Sequence, residues 1–366
     1  MKKNPAINTS RGFTIVELLI VVVVIAILAA ITIVSYNGIS SRAKESSLKT
    51  DLSTAVKKLN IEKIDSGSFP ATSPDYITDG LSYMGGGTAF CVSGEANSKI
   101  FRIDENGTVE EGECIATMQS FTPSQCSALA TYTGANETAL VSLTDSRGGT
   151  ERTYRVAKLA DDNCWMLDNL KLGSTTGTIT LTPVDSDVAS NFTLPQLITT
   201  GTASSDSPQA VGPVPGDTGS SATNYGYLYN WPGATAGESR TSHPASAGNA
   251  PHSICPANWR LPTGNTTGEF AWLNAKMNNP NAASPSNTSG TGYYQNWQYS
   301  GPFKGVLSGY WATSFSSQGV SGYLWSSSAY SSHADYAFLA LFQANYISPA
   351  YNTARVNAMS VRCLLN

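Results

Sequence analysis

The sequence predicts an α+β chain built from one long N-terminal helix, transmembrane in its first half, a small β-sheet packed on its second half, and a larger, irregular, loop-rich α+β unit. Three observations carry this. An apolar run extends from Phe13 to Val34 with Glu17 as its one charge. The helical spacing behind it gives way, past Pro70, to short β-like pieces. From about Ser124 onward, long stretches of Gly, Ser, Thr and Asn alternate with aromatic motifs.

The chain has 366 residues, enough for two or three folding units. With 22 Lys+Arg against 26 Asp+Glu, it lacks the concentrated positive charge of nucleic-acid binding, so no nucleic-acid partner is expected. Charged residues make up 13%, and turn-forming polar residues abound, as in exported proteins. Its six cysteines include no CxxC pair and fit an oxidising compartment.

Met1 to Gly12 carries Lys2, Lys3 and Arg11 and no acid, so it belongs on the cytoplasmic side of a membrane. The run Phe13–Val34 is long enough to cross a bilayer core of roughly 30 Å as a helix. A secretory signal has a shorter core and a small-residue cleavage site, and a plain anchor has no need of an acid in its first turns. Beyond the run, Ile39, Ala43, Leu48, Leu52, Val56 and Leu59 recur at helical spacing, with charges on other faces. The helix is expected to continue to Asp65-Ser66-Gly67, where Gly permits a left-handed cap and Pro70 bars continuation. About 50 residues of helix span roughly 75 Å.

The string Gly12-Phe13-Thr14-Ile15-Val16-Glu17-Leu18-Leu19-Ile20 resembles the class III signal of type IV prepilins and type II secretion pseudopilins. The resemblance implies a leader over 1–12, cleavage between Gly12 and Phe13 by a prepilin peptidase, and N-methylation at Phe13. It also implies an assembly role for Glu17. A carboxylate in a dry helical core costs several kcal/mol unless paired, and the α-amine of a neighbouring subunit's Phe13 supplies the pair, fixing register. Many pilins carry a Pro inside this segment. None occurs here between Phe13 and Phe69, which leaves Gly38 as the weak point.

Residues 67–123 read as a small pilin-like β head. Thr88–Val92 and Lys99–Ile103 are strand-like, and Asn106-Gly107 signals a type I′ hairpin turn. Too few apolar residues lie here for an independent core, so this sheet should pack on the helix.

Residues 124–366 form the larger unit. Strand-like segments are Ala139–Leu143, Thr153–Leu159 and Asn163–Leu170, with a turn at Asp145–Gly149. A short helix is expected around Glu269, Phe270, Trp272 and Leu273, with Thr266 or Thr267 as caps. Tyr225–Trp231, Cys255–Thr263, Tyr323–Ser328 and Ser360–Cys363 complete a set of motifs that resembles the FISUMP (major paralogous domain) family of bacterial surface proteins. More distantly the set is similar to C-type-lectin-like and formylglycine-generating-enzyme-like folds. Six cysteines allow many pairings; proximity in sequence and motif order favour Cys91–Cys114, Cys126–Cys164 and Cys255–Cys363.

Aromatics crowd the C-terminal third. Exposed, they stack on sugars or anchor a partner; buried, they fill a core short of aliphatics. Trp165, Trp259 and Trp325 read as core. Tyr293, Tyr294, Trp297 and Tyr299, in a stretch without charge, read as the surface candidates for ligand binding.

No catalytic set emerges, and the chain does not read as an enzyme. His243, His252 and His333 lack ligand spacing, no G-x-S-x-G is present, and the lectin calcium signature Glu-Pro-Asn or Gln-Pro-Asp is absent. Asp161 with Asp162, and Asp185 with Asp187, have calcium-ligating chemistry but read as solvated turn acids. No metal or cofactor is expected. The combination points to a minor or tip-associated pilus subunit held in the cytoplasmic membrane before assembly and displayed on a cell-surface pilus afterwards. Its expected partners are other pilin subunits, the prepilin peptidase, the inner-membrane assembly platform and a surface glycan or protein receptor. The alternative is a pseudopilin of a type II secretion-like apparatus.

Overall fold

Helix α1 runs unbroken from Ile15 to Ser66 in the computed structural model. The structure describes residues 15–366 apart from 68, 71–72, 78–79, 87–88, 105–106, 113, 115–116, 202–203, 205, 220, 240–241 and 287–293. α1 passes straight through Gly38 and stops where Gly67 turns to φ +82° and donates its N–H to the Lys63 carbonyl at 2.8 Å. Its first half is long and apolar enough to cross a membrane, and the large apolar side chains between Ile15 and Ile33 are 48% to 85% exposed.

The second half of α1 packs on a four-stranded antiparallel meander: β1 (Leu81–Gly86), β2 (Ala89–Ala96), β3 (Lys99–Asp104) and β4 (Val109–Glu111). Strand period two places Phe90 and Val92, then Phe101 and Ile103, against Leu48, Leu52, Val56 and Leu59 of the helix. The apolar stripe is used only from Leu48; Ile39 is 69% exposed and Ala43 is also exposed, because the sheet does not reach that far. The tight hairpin with two positive φ values is Asn97-Ser98 (55° and 62°), between β2 and β3. Of the expected Asn106-Gly107 turn, Asn106 lies outside the described residues, while Gly107 has φ +74°.

The C-terminal unit starts earlier than position 124. Thr117 bridges Thr144, and Met118 and Phe121 are buried in its core. Helix α2 (Pro123–Ala128) is opened by a capping box in which Gln125 N–H donates to Thr122 Oγ1 and Thr122 N–H donates to Gln125 Oε1. There follow β5 (Val141–Asp145), β6 (Arg152–Lys158), β7 (Cys164–Met166), β8 (Ile179–Leu181), β9 (Phe192–Leu194), β10 (Ala210–Val211), β11 (Leu228–Tyr229) and the single-turn α3 (Trp231–Ala234). Then come β12 (Trp259–Arg260), α4 (Glu269–Asn278), β13 (Tyr310–Trp311), β14 (Phe315–Ser316), β15 (Ser321–Ala329), β16 (Tyr336–Gln343), β17 (Tyr346–Ala354) and β18 (Leu364–Leu365). The expected strand over 163–170 shrinks to β7. Neither Thr266 nor Thr267 caps α4: Gly268 is at the N-cap, and Thr267 instead donates to Asn265 Oδ1.

Five strands form a sheet in the order β12-β18-β7-β6-β5, so the last strand of the chain pairs in its interior; β15-β16-β17 form a second meander. Alternate residues face two cores. Cys164, Met166, Trp325, Leu339, Leu341 and Leu365 enter one; Trp165, Leu324, Ala340, Phe342 and Leu364 enter the other with Phe270, Trp297 and Phe303. Strands buried on both faces need apolar or satisfied side chains at successive positions, which is how these segments read.

Candidate assembly helix and recognition surface

Glu17 lies in the first turn of α1, on the exposed apolar stretch; Gly12 and Phe13 lie outside the described residues. The cysteines are brought together as Cys91–Cys114, Cys126–Cys164 and Cys255–Cys363, with Cα separations of 5.7, 5.9 and 5.8 Å. The first ties β2 to the segment leaving the small sheet. The second ties α2 to β7. The third links the approach to β12 with the residue before β18.

The surface aromatics divide. Trp297 is fully buried, its indole N–H donating to Asn274 Oδ1 at 2.9 Å and its ring 4.5 Å from Phe303. It is a core residue, because a large apolar ring fills the space between α4 and the second sheet more favourably than it meets water. Tyr294 is half-buried against the same core, and Tyr293 lies outside the described residues. Of the three that are described, Tyr299 alone lines an open cleft of about 480 Å³, together with Tyr225, Gln298, Val306 and Leu307.

Three cations lie around this cleft, Arg155 partly buried and Lys304 and Arg362 buried, and the sequence reading did not single them out. Arg155 pairs with Asp168 (Nη2–Oδ1 2.6 Å) and lies 5.6 Å from the Tyr299 ring centroid; Lys304 is at the same distance. Hydrogen bonding to Asp168 drives the Arg155 pKa up against the opposing effect of burial. Arg362, fully buried, donates to the carbonyls of Phe303 (2.6 Å) and Lys304 (2.9 Å) and to Asn169 Oδ1 (2.8 Å), which fixes the chain entering the cleft wall. Burial pushes its pKa down to about 9, so it remains cationic at neutral pH. Its position inside the motif Ser360–Cys363 was the available signal.

Three of the four turn acids are engaged, while Asp162 is exposed. Asp161 accepts from Trp165 Nε1 at 3.0 Å and from Asn163 at 2.9 Å, and burial raises its pKa to about 6 despite these bonds. Asp185 accepts from Ser186 Oγ at 2.6 Å and from the Thr182 N–H at 3.0 Å. Asp187 accepts from Ser253 Oγ at 2.7 Å and lies 3.4 Å from His252 Nδ1. These contacts tie loops together.

The prokaryotic N-terminal methylation motif matches residues 7–33, and the Fibrobacter succinogenes major domain matches residues 160–364. The type IV wide pilus major component PilA4 of Thermus thermophilus is 36% identical over 92 residues, which is 25% of this chain and 70% of that protein. No solved structure matches the chain. The motif and this relative mark a structural subunit and fit a membrane anchor in the apolar half of α1. The chain belongs to the type IV pilin family and, over residues 160–364, to the Fibrobacter succinogenes major domain family.

Proposed function

We propose that the chain is a minor or tip-associated type IV pilus subunit that displays the unit beyond residue 116 as a recognition module. The observation that carries this is the separation of cores. α1 and its four-stranded sheet share one apolar cluster, and the C-terminal unit has its own, the two being joined through the short segment between Cys114 and Thr117. Assembly information and recognition surface are thus divisible. A 250-residue-scale appendage is bulky on every subunit of a helical filament, which favours a minor or terminal position. The arrangement of short strands and long loops supports a C-type-lectin-like reading of that unit.

In this reading a prepilin peptidase cuts between Gly12 and Phe13 and methylates Phe13. Glu17 then pairs with the α-amine of a neighbouring pilin, and the assembly platform extracts the subunit from the membrane into a surface filament. Exposed Ile15–Ile33 become the subunit-packing stripe. A chain ending at Ala116 keeps the Cys91–Cys114 bridge and should still be processed and enter filaments, while cells carrying it lose attachment to host cells, bacteria or polysaccharide surfaces. Immunogold labelling with an antibody to the C-terminal unit, scored beside an attachment assay, tests this. Undiminished attachment by the truncated strain rejects the recognition role, and label confined to the periplasm favours the pseudopilin.

A further inference from the structure

We propose that a small pocket lined by Asp187 and Arg260 binds the zwitterionic head of an α-amino acid, an ammonium and a carboxylate on one carbon; this rests on the reading of the C-terminal unit as a recognition module. The pocket holds about 200 Å³, and His252, Thr263 and Glu269 line it as well. Its acidic and basic sides are fixed separately. The Asp187 N–H donates to the Cys255 carbonyl at 2.9 Å, and its carbonyl accepts from the Ser253 N–H at 2.8 Å. Arg260 lies in β12, and Glu269 opens α4.

The three charged groups differ in what they have left to offer. Glu269 is saturated: both its oxygens accept from Arg260, and Oε2 also accepts from the Thr263 N–H at 2.7 Å and hydroxyl at 3.1 Å. Arg260 spends the Nη1 and Nη2 end of its guanidinium on Glu269, with Nη1 also reaching the Leu261 carbonyl at 3.3 Å. Its Nε–H donates to no described residue. With the outer hydrogen of Nη2, that N–H makes the side-on fork by which a guanidinium grips a second carboxylate, and the side chain is 36% exposed. Asp187 is the counterpart. Its Oδ2 accepts from Ser253 Oγ at 2.7 Å, whereas the one neighbour of Oδ1 is His252 Nδ1 at 3.4 Å, long for a hydrogen bond; this side chain is 18% exposed.

Asp187 and Arg260 thus bring opposite charges with spare hydrogen-bonding capacity to one pocket. They act on each other electrostatically yet do not pair. Such a gap takes a molecule that carries both signs. A simple cation is repelled by Arg260 and a simple anion by Asp187, while a neutral molecule makes the weaker bonds of uncharged groups. An α-amino acid sets its ammonium on Asp187 Oδ1 and its carboxylate on the free fork of Arg260. The volume lies below the range of drug-sized sites, which suits a head group of a few heavy atoms. That head occurs on free amino acids and on side-chain-linked residues of longer chains.

The test uses the full chain in a non-ionic detergent and phosphate buffer. Alanine, serine, glutamate and lysine are titrated by calorimetry, with γ-glutamylalanine as the linked form and the N-acetyl and amide forms of each, which remove one charge of the head. At least one zwitterion is expected to bind below about 10 mM, with its N-acetyl and amide forms at least about tenfold weaker. Tighter binding of γ-glutamylalanine than of glutamate marks a linked source, and the reverse marks a free one. Asp187→Asn should bring a free amino acid and its N-acetyl form to within about twofold, a change of ratio that a loosened loop does not produce. Pro251→Trp, at an exposed lip of the pocket, should weaken every form without altering the circular dichroism spectrum. A single-charge form bound as tightly as its zwitterion, or no zwitterion bound below about 10 mM, overturns the proposal. If the strain ending at Ala116 loses attachment and yet no amino acid binds, recognition stands and this pocket falls. If an amino acid binds here while that strain attaches fully, the site stands and its adhesive use falls.

Discussion

Arg147 forks back onto Asp145, two residues before it: Nε donates to Oδ1 at 2.9 Å and Nη2 to Oδ2 at 2.8 Å, with the two side chains 2% and 0% exposed. The same guanidinium reaches Ser186 Oγ at 3.0 Å and the Ile254 carbonyl at 2.9 Å, so one turn residue ties three loops. Burial pushes the Asp145 carboxyl upward, but the charge and hydrogen bonds of Arg147 outweigh it and hold the pKa below the usual range. A carboxylate depressed in the folded state contributes stability that is present above its unfolded pKa, near 3.9, and is lost as pH falls through its folded value. Arg147→Ala should cost about 3–5 kcal/mol at pH 7 by stranding a buried carboxylate. Replacing both residues by apolar ones should recover most of that and flatten the acid limb of a urea-midpoint profile taken from pH 5 downward. An unchanged acid limb in the double variant would show that other carboxylates set it.

Trp297 and Tyr299, two residues apart, should respond in opposite ways. Trp297→Ala opens a cavity in a core shared with Phe270, Phe303 and Phe342, at about 3–5 kcal/mol in denaturant unfolding. Tyr299→Ala should cost about 1 kcal/mol, chiefly its contacts with Arg155 and Lys304, and act on binding instead. Equal destabilisation by the two would place Tyr299 in the core as well.

Removal of the disulfides should be graded by the loop each closes. Cys255–Cys363 spans 108 residues and Cys91–Cys114 spans 23, so chain entropy assigns about 4–5 and about 3 kcal/mol. The short bridge should loosen the small sheet alone, leaving the C-terminal unit's unfolding midpoint in place. Non-reducing peptide mapping should recover three linked pairs. A midpoint shift in both units on losing Cys91–Cys114 would mean that they unfold together.

Mass spectrometry of the mature chain should give an N-methylated Phe13 start. Glu17→Ala should still insert, since apolar replacement favours the bilayer, yet reduce filament number strongly through loss of the partner for the neighbour's amine. Normal piliation in that variant removes Glu17 from the register argument.

The order of elements was legible without coordinates because it rests on local rules. Apolar periodicity and the Gly67 stop determine α1, whose end falls at Ser66, and period-two apolar residues determine the sheet that covers Leu48 to Leu59. The resemblance of Gly12–Ile20 to prepilin signals was likewise a matter of contiguous residues. Burial in the loop-rich unit was not legible, because it depends on partners distant in sequence. Trp297 and Tyr299 share one polar stretch, yet α4 and Phe342 close over the first and leave the second at a cleft. Arg362 and Arg147 look like ordinary surface charges in sequence; carbonyls and an aspartate supplied by the fold make their burial affordable. Only the tertiary structure sets Asp187 and Arg260 around one pocket, since the donors and acceptors they have left are decided by the loops and the helix that fold against them.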